Sequence, residues 1–594
     1  MLRRSLFVCM GGNLKKNEFL YVDAVEKNGL IHVWVRDQAG LDVITYDATD
    51  YHYCFIPNNT DKMTPYKDMW GCPVRKCKFG SKRDLREFAF SEDYVCESDI
   101  PGKYKVLIDE LPNAYSQADF HYCFYDIEVD FDLEEGKGYP KPDNPYGEIN
   151  AISAWDSYRQ RYTIFLFDFL KGQVNLEDDD EYPVKMIFCH NERDLLQKFA
   201  HFLEPIDVFT GWYSSGFDLP YIMARAEMNF GLTGSQQLLC RDGFRAWSTE
   251  FVNDFGEEKI KWQTVGRKHI DLLEIYKKFI PGQRTSYKLD SICEEDLGEN
   301  KIQYEDEGDL GILYKENPQK FFEYSLHDSR LLVKLDRKHN LVKTAMMIAV
   351  SSFSFVDDVT GSLKVIEQGF NKFCRDKGIV LPDKKDHDKS SFPGAIVYDT
   401  VSGRHGWSFS IDTVSMYPTA IIMLGLSPET MIYQCVGGED DYVKIMTNSD
   451  DVIEVQDVIT EKVEEVTPTE FYDLIVKEGW TISANGTIFN GKLGLLAEYL
   501  QDGFAERKEC KRLSKEYDKQ GDAHNAEIFD LKQKILKIAR LNAIYGATGN
   551  EHFRFFDLRI AKSVTLTARV ISRFQSVASN EILEEFDEEM KGIL

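Results

Sequence analysis

One stretch limits what this chain can fold into more than any other. Phe120-His121-Tyr122-Cys123-Phe124-Tyr125 reads as a strand, and Tyr125-Asp126-Ile127-Glu128 continues it. On a strand, residues i and i+2 point to one face, about 7 Å apart along the chain. Asp126 and Glu128 therefore form a carboxylate pair on one side of a sheet. Two further acids follow. Asp218 closes the loop Gly211-Trp212-Tyr213-Ser214-Ser215-Gly216-Phe217-Asp218. Asp328 lies in Tyr324-Ser325-Leu326-His327-Asp328, where i and i+4 share a helix face. Singly, each acid reads as a solvated or capping residue. In this order, on strand, loop and helix, about 100 residues apart each, the combination is far more specific.

The surroundings predict an α/β region. Ile149 to Ala154 and Tyr162 to Phe167 read as strands, Asn191-Glu192-Arg193-Asp194 caps a helix running toward Leu203, Asp207 to Trp212 is a short strand with a turn, and Pro318 to Asn340 is a long helix. Residues 1 to about 108 read as β-rich, with Ile31-His32-Val33-Trp34-Val35 alternating at period two and a second strand around Tyr51 to Phe55. With 594 residues, 43% of them hydrophobic, the chain holds several cores, and three to five domains are expected. The 12 cysteines are scattered singly without a zinc pattern and read as reduced thiols. No apolar run approaches the roughly 20 residues of a membrane span, and the basic start Met1-Leu2-Arg3-Arg4 is followed too soon by Gly11-Gly12 to be a signal peptide.

A second constellation lies beyond residue 400. In Ser410-Ile411-Asp412-Thr413-Val414-Ser415-Met416-Tyr417-Pro418, Phe409 and Ile411 suggest the end of a buried strand before Asp412, and Pro418 suits a helix start. Residues 439 to 478 carry 13 acids and three bases and read as a solvated, partly β insertion. Leu493 to Gln520 and Ala523 to Tyr545 predict two antiparallel helices joined near Gly521. The net charge of -28 suggests a protein that avoids polyanions, yet residues 502 to 573 hold 15 Lys/Arg against 10 Asp/Glu. Charge is screened over roughly 8 Å, so a local basic face outweighs the total. Arg507 and Lys511 share one helix face.

These segments resemble the motifs of family B (polymerase-alpha-like) DNA polymerases, in family order and over nearly the whole chain, with Leu426 to Thr430 and Gly549 to Asp557 close to the T-even-type phage members. The resemblance implies an α+β and α/β multidomain protein: a β-rich N-terminal domain over 1–108, an RNase H-like 3′→5′ exonuclease over 109–340, a return segment over 341–382 packing on the N-terminal domain, a first palm part over 383–490, helical-hairpin fingers over 491–573, and the start of a second palm segment over 574–594. Asp126, Glu128, Asp218 and Asp328 would hold two Mg²⁺ ions, which suit oxygen ligands, and Tyr324 would hold the attacking water. Asp412 would bridge two Mg²⁺ ions in nucleotidyl transfer. Ser415, Met416, Tyr417, Arg507, Lys511, Lys537, Asn542, Tyr545 and Gly546 would contact the incoming nucleotide, and Phe392-Pro393-Gly394-Ala395 the template strand. Two departures stand out. Tyr213 occupies the place of an Asn in the second exonuclease motif. In the family's K-x-x-x-N spacing, Ile538 stands four residues before Asn542, with Lys537 one place further back; on an α-helix that turns the cation by roughly 100°, leaving Lys537, Arg540 or Lys534 for the role.

The family's Asp-Thr-Asp core does not occur after residue 546; Asp557, Asp587 and Glu588 are the late acids. The expectation is the N-terminal part of a split polymerase, partnered by primer-template DNA, dNTPs and a second chain carrying that core and the thumb, with a sliding clamp reached through it, in the cytoplasm of an infected bacterial host. A truncated chain would look the same. Two other readings stay open: a stand-alone single-strand exonuclease whose palm and fingers only bind DNA, and a non-catalytic DNA-binding remnant.

Overall fold

The structure is a computed structural model. It describes residues 19–60, 63–111, 120–130, 138–178, 181–252, 258–303, 309–387, 392, 394–396, 398, 402–404 and 411–593. The chain forms two compact units, Met1–Tyr51 with Pro101–Gly361, and His52–Ile100 with Ser362–Leu594.

In the first unit, Leu20–Lys27, Leu30–Asp37 and Gly40–Asp47 form an antiparallel sheet. Its first turn is Asn28-Gly29, both at positive φ (54° and 76°), the backbone a two-residue hairpin demands. The second sheet has six strands in the order Val184–Cys189, Arg161–Phe167, Ile149–Asp156, Tyr122–Val129, Val208–Gly211, Lys268–Asp271. Tyr122–Val129, first in sequence, is thus central, antiparallel to Ile149–Asp156 and parallel to Val208–Gly211. Its alternation has a consequence. Cys123, Tyr125 and Ile127 enter a core shared with the Glu192–Phe202 and Asp218–Leu238 helices. The other face meets the Pro318–His339 helix. Ser153 and Ala151 pair with Asp126 and Glu128, and these small residues let that helix come close: Ser153 Oγ donates to the Ser325 carbonyl (3.0 Å) and meets Ser329 Oγ at 2.7 Å.

The Pro318–His339 helix begins where expected, capped by Asn317, and ends at Asn340 in the left-handed conformation (φ 54°). The return segment continues in this unit as the Leu341–Ser351 helix, whose Ala349 carbonyl accepts from Tyr21 Oη at 2.9 Å.

The second unit contains the other part of the return segment. Its Ile379–Val380 strand pairs with Tyr66–Asp68 in a four-stranded sheet. The acid-rich insertion folds around its own small core of Cys435, Ile445, Ile453, Val455, Phe471, Ile475 and Ile488. It contributes the antiparallel strands Ile453–Asp457 and Val463–Val466 and the helices Glu439–Met446 and Pro468–Glu478. The helical hairpin is Leu495–Lys519 and Ala523–Ile535, closed near its tip by Tyr517 stacked on Phe529 (5.5 Å). Its second arm departs from expectation: it runs as a π-helix over Leu536–Asn542 before Ala543–Thr548. One helix, Leu558–Ile593, follows.

The strand expected before Asp412 falls largely outside the described residues. Phe409 and Ser410 lie outside the described residues, and Ile411–Thr413 belong to no strand. No described strand pairs with Ile411–Thr413. Ile411 and Asp412 are exposed. Among the described residues no helix is long and apolar enough to cross a membrane.

Candidate active sites

The first unit gathers three of the four acids tightly: one carboxylate oxygen each from Asp126, Glu128 and Asp328 lie within 4.8 Å of one another. Asp218 joins from the side, its Oδ1 accepting from the Ile127 N–H at 3.2 Å. It is the first residue of the Asp218–Leu238 helix rather than a loop residue, where the helix dipole favours a carboxylate. Tyr324 is buried one turn before Asp328.

Such crowding is costly without a cation. Burial, then the charges of Asp218, Glu128 and Asp328, hold the Asp126 carboxyl well above its usual range. Burial and then Asp328 push Glu128 up to about 8. Burial lifts Asp218 to about 7 against the Ile127 hydrogen bond. Burial also raises Asp328, although Lys301 opposes it. Lys301 Nζ donates to Asp328 Oδ2 and to Tyr324 Oη (3.1 Å). Burial works against the ammonium, but Asp328, Asp126 and Glu128 together outweigh it and keep it charged. Asp328 Oδ1 is buried with no hydrogen-bond partner. An oxygen-only donor set, mutually repelling and with one orphaned acceptor, fits a hard divalent cation such as Mg²⁺.

The loop that delivers Asp218 is held from beneath. Asp271, the N-cap of Leu272–Phe279, accepts from the N–H groups of Tyr213 (3.0 Å), Ser215 (2.9 Å) and Leu273 (3.0 Å). Ser214 Oγ lies 3.1 Å from Gly211 N and 3.0 Å from His269 Nε2, and Tyr125 Oη reaches the same ring nitrogen at 3.1 Å. Burial lowers His269 to about 3, so the ring is neutral. Lys301 and Asp271 were missed from the sequence. Lys301 follows Gly298 in a stretch without periodicity, so nothing marked it. Asp271 precedes Leu272-Leu273 and carries a readable N-cap signal.

In the second unit, Ser415 (φ 50°) caps the Met416–Leu424 helix, and Tyr417 meets Tyr545 with ring centroids 4.2 Å apart. That helix packs against the π-segment. Thr413 Oγ1 lies 2.8 Å from Gln575 Nε2 on the long helix. Pro393 lies outside the described residues, but the flanking Gly394 carbonyl accepts from Arg569 Nε at 2.8 Å. Among the described residues Asp412 belongs to no group of three or more possible metal ligands. Gly546 is exposed beside Tyr545.

The π-segment revises the reading of the shifted lysine. In a π-turn residues i and i+5 stack as i and i+4 do in an α-helix. Lys537 and Asn542 therefore share a face, and the expected 100° rotation does not arise. Arg540 is spoken for: it bonds Asp502 (2.7 Å), Glu506 (3.2 Å) and the Tyr499 carbonyl, and lies over the Tyr499 ring. Lys534 pairs with Asp530 at 2.7 Å. Lys537 is exposed and forms no ion pair among the described residues. On the facing arm Arg507 reaches Gln533, one turn before Lys537, at 3.3 Å, and Lys511 is exposed.

Comparison with known proteins matches two family models. "DNA polymerase family B, exonuclease domain" covers residues 96–292, and "DNA polymerase family B" covers 359–591; together they take in well over half of the chain. The first includes Asp126, Glu128 and Asp218 and stops short of Asp328; the second spans Asp412 to Gly546. Among curated relatives, the DNA-directed DNA polymerase of Escherichia phage RB69 is 26% identical over 88% of this chain, and that of Enterobacteria phage T4 25% identical over 91%. The chain spans 62% and 64% of their respective lengths. The DNA polymerase delta catalytic subunit of Caenorhabditis elegans is 25% identical over 65% of this chain and 33% of its own length.

Proposed function

We propose, for a chain that belongs to DNA polymerase family B, that the first unit is a 3′→5′ exonuclease of RNase H-like type and the second carries part of a nucleotidyl-transfer site. The carrying observation is the convergence of Asp126, Glu128 and Asp328 within 4.8 Å, with Asp218 fixed to the central strand. These four residues would hold Mg²⁺, two ions in the full site, which when bound supplies charge stabilisation at the phosphate and an acidified water. Tyr324, whose hydroxyl accepts from Lys301 Nζ and hydrogen-bonds to Asp328, would orient the attacking water. The substrate is an unpaired DNA 3′ end. The test is degradation of a 5′-labelled single strand with Mg²⁺: Asp126→Ala with Glu128→Ala abolishes it, and unchanged degradation by that variant would move the site elsewhere.

A second reading concerns synthesis and rests on Tyr417, five residues after Asp412, against Tyr545, with Arg507, Lys511 and Lys537 as cations for a triphosphate. Ser415 and Met416 offer backbone to it, and Asn542 and Gly546 face the nascent pair. Asp412 would hold Mg²⁺ there, but one carboxylate is too few for two ions. The remaining palm acids and the thumb come from polypeptide outside these 594 residues, which we place on a partner chain; a sliding clamp would be engaged through it in a phage-infected bacterium. Mixing both chains with primer-template, dNTPs and Mg²⁺ tests this. No extension from the mixture, with degradation by this chain alone, would favour the stand-alone exonuclease.

A further inference from the structure

We infer that the Tyr213 ring is a stacking platform for a base of the single-stranded DNA end entering the first unit's acid cluster; this rests on the exonuclease reading. Tyr213 has φ 59°, a left-handed conformation that bulky residues rarely adopt. The backbone is pinned there. Its N–H binds Asp271 at 3.0 Å, and its carbonyl accepts from Gly216 N (2.9 Å) and Phe217 N (3.2 Å). The turn folds the ring over Gly216: a Cβ added to that glycine would fall 2.3 Å from Tyr213 Cζ and 2.6 Å from Cε2. The ring therefore lies directly against the Gly216 backbone.

Its neighbours are differently occupied. Trp212 donates Nε1 to the Tyr287 carbonyl and packs on Tyr276, and Phe217 stacks on Tyr221 at 5.3 Å. Tyr213 stacks on no other ring among the described residues and is 49% exposed. Gly216 is two residues before Asp218, at most about 7 Å of chain, so the surface the ring covers adjoins the start of the helix that carries Asp218. A flat, supported, half-exposed aromatic at that place suits a nucleobase of any identity, since every base has a stacking face.

The experiment uses the full chain, single-stranded oligonucleotides carrying 2-aminopurine or an abasic site at each of the last three positions, and Ca²⁺ in place of Mg²⁺ to hold cleavage. At one of these positions the wild type quenches 2-aminopurine and binds the base-bearing strand about ten-fold more tightly than the abasic one. Tyr213→Asn loses both the quench and the discrimination, while Tyr213→Phe restores them. Asn tolerates the left-handed backbone, so the melting temperature of Tyr213→Asn is unchanged or higher. A wild type that degrades DNA in Mg²⁺, together with a Tyr213→Asn variant that still discriminates, would overturn the inference. A wild type that degrades nothing would instead remove the exonuclease reading beneath it.

Discussion

Replacing Lys301 by Met tests the electrostatic account of the acid cluster directly. The side chain keeps its length but loses the only cation hydrogen-bonded to Asp328 among the described residues. Lys301 is 29% exposed and the Asp328 side chain 3%. Losing one partner of a fully buried pair costs about 3–5 kcal/mol; the partial exposure of Lys301 places the cost at about 2–3 kcal/mol. In a chain of two units a single unfolding energy is ill defined, so local opening is the better measure. Hydrogen exchange of peptides from Tyr122–Val129 and Pro318–His339, in EDTA at pH 8, should quicken about 30- to 150-fold. The pH sign is fixed. Folded pKa values above the unfolded ones, about 8 for Glu128 and about 7 for Asp218, mean that stability is fully present below about pH 4 and is lost as pH rises through 7 to 8. The deficit therefore shrinks at pH 5.5 and grows at pH 8. Saturating Mg²⁺ removes most of it by neutralising the same carboxylates. Equal exchange of variant and wild type in EDTA at pH 8, or a deficit indifferent to pH and Mg²⁺, would refute the reasoning.

Three further outcomes follow from the same geometry. Because Glu128 and Asp218 hold between one and two protons at pH 7, loading a divalent cation releases about one proton or more, read by calorimetric titration in buffers of different ionisation enthalpy. His269, lowered to about 3 by burial and then Lys261, contributes stability present above about pH 6.5 and lost as pH falls toward 3; His269→Gln therefore removes a loss of about 2 kcal/mol between pH 7 and pH 5, seen as a flatter pH dependence of the first unit's melting. Asp271, Glu274, Asp357 and Lys261 line the same small cavity and are common to both proteins, so the difference isolates His269. Deleting Ile538 converts the π-turn to an α-turn, and the melting temperature stays level or rises; a fall of several degrees would show that the extra residue is not an insertion absorbed by the helix.

What the sequence disclosed depended on whether the decisive interaction was local. The central strand was readable because alternation is a property of consecutive residues, and Asp126 and Glu128 inherit their shared face from it. The Pro318–His339 helix was readable from its start at Asn317-Pro318 and its apolar spacing. That this helix crosses the sheet over Ser153 and Ala151, bringing Asp328 to Asp126, is a tertiary event; order and family resemblance supplied it, not periodicity. Lys301 was invisible because a lysine in a loop carries no pattern, and its role exists only where four carboxylates need a counter-charge. The strand expected before Asp412 is a different case: Phe409 and Ser410, which would carry it, lie outside the described residues.

The two departures from the family motifs, Tyr213 and the shifted lysine, show how such disagreements resolve physically. At Tyr213 the backbone keeps a conformation that an Asn would adopt with little strain, because Asp271 binds the N–H groups on both sides of Ser214. The loop's shape is set by Asp271 and tolerates the side chain, so the substitution is free to change what the loop presents without moving Asp218. At Lys537 the side chain is retained and the backbone yields. One extra residue before Asn542 is taken up as a π-turn, and the lysine returns to the face it would hold with ordinary spacing. In each case one of the two, backbone or side chain, is held by contacts that a shift would cost, and the other absorbs the change. Motif spacing is therefore a constraint on faces rather than on residue counts, and a count that disagrees by one calls for a bulge before it calls for a different residue.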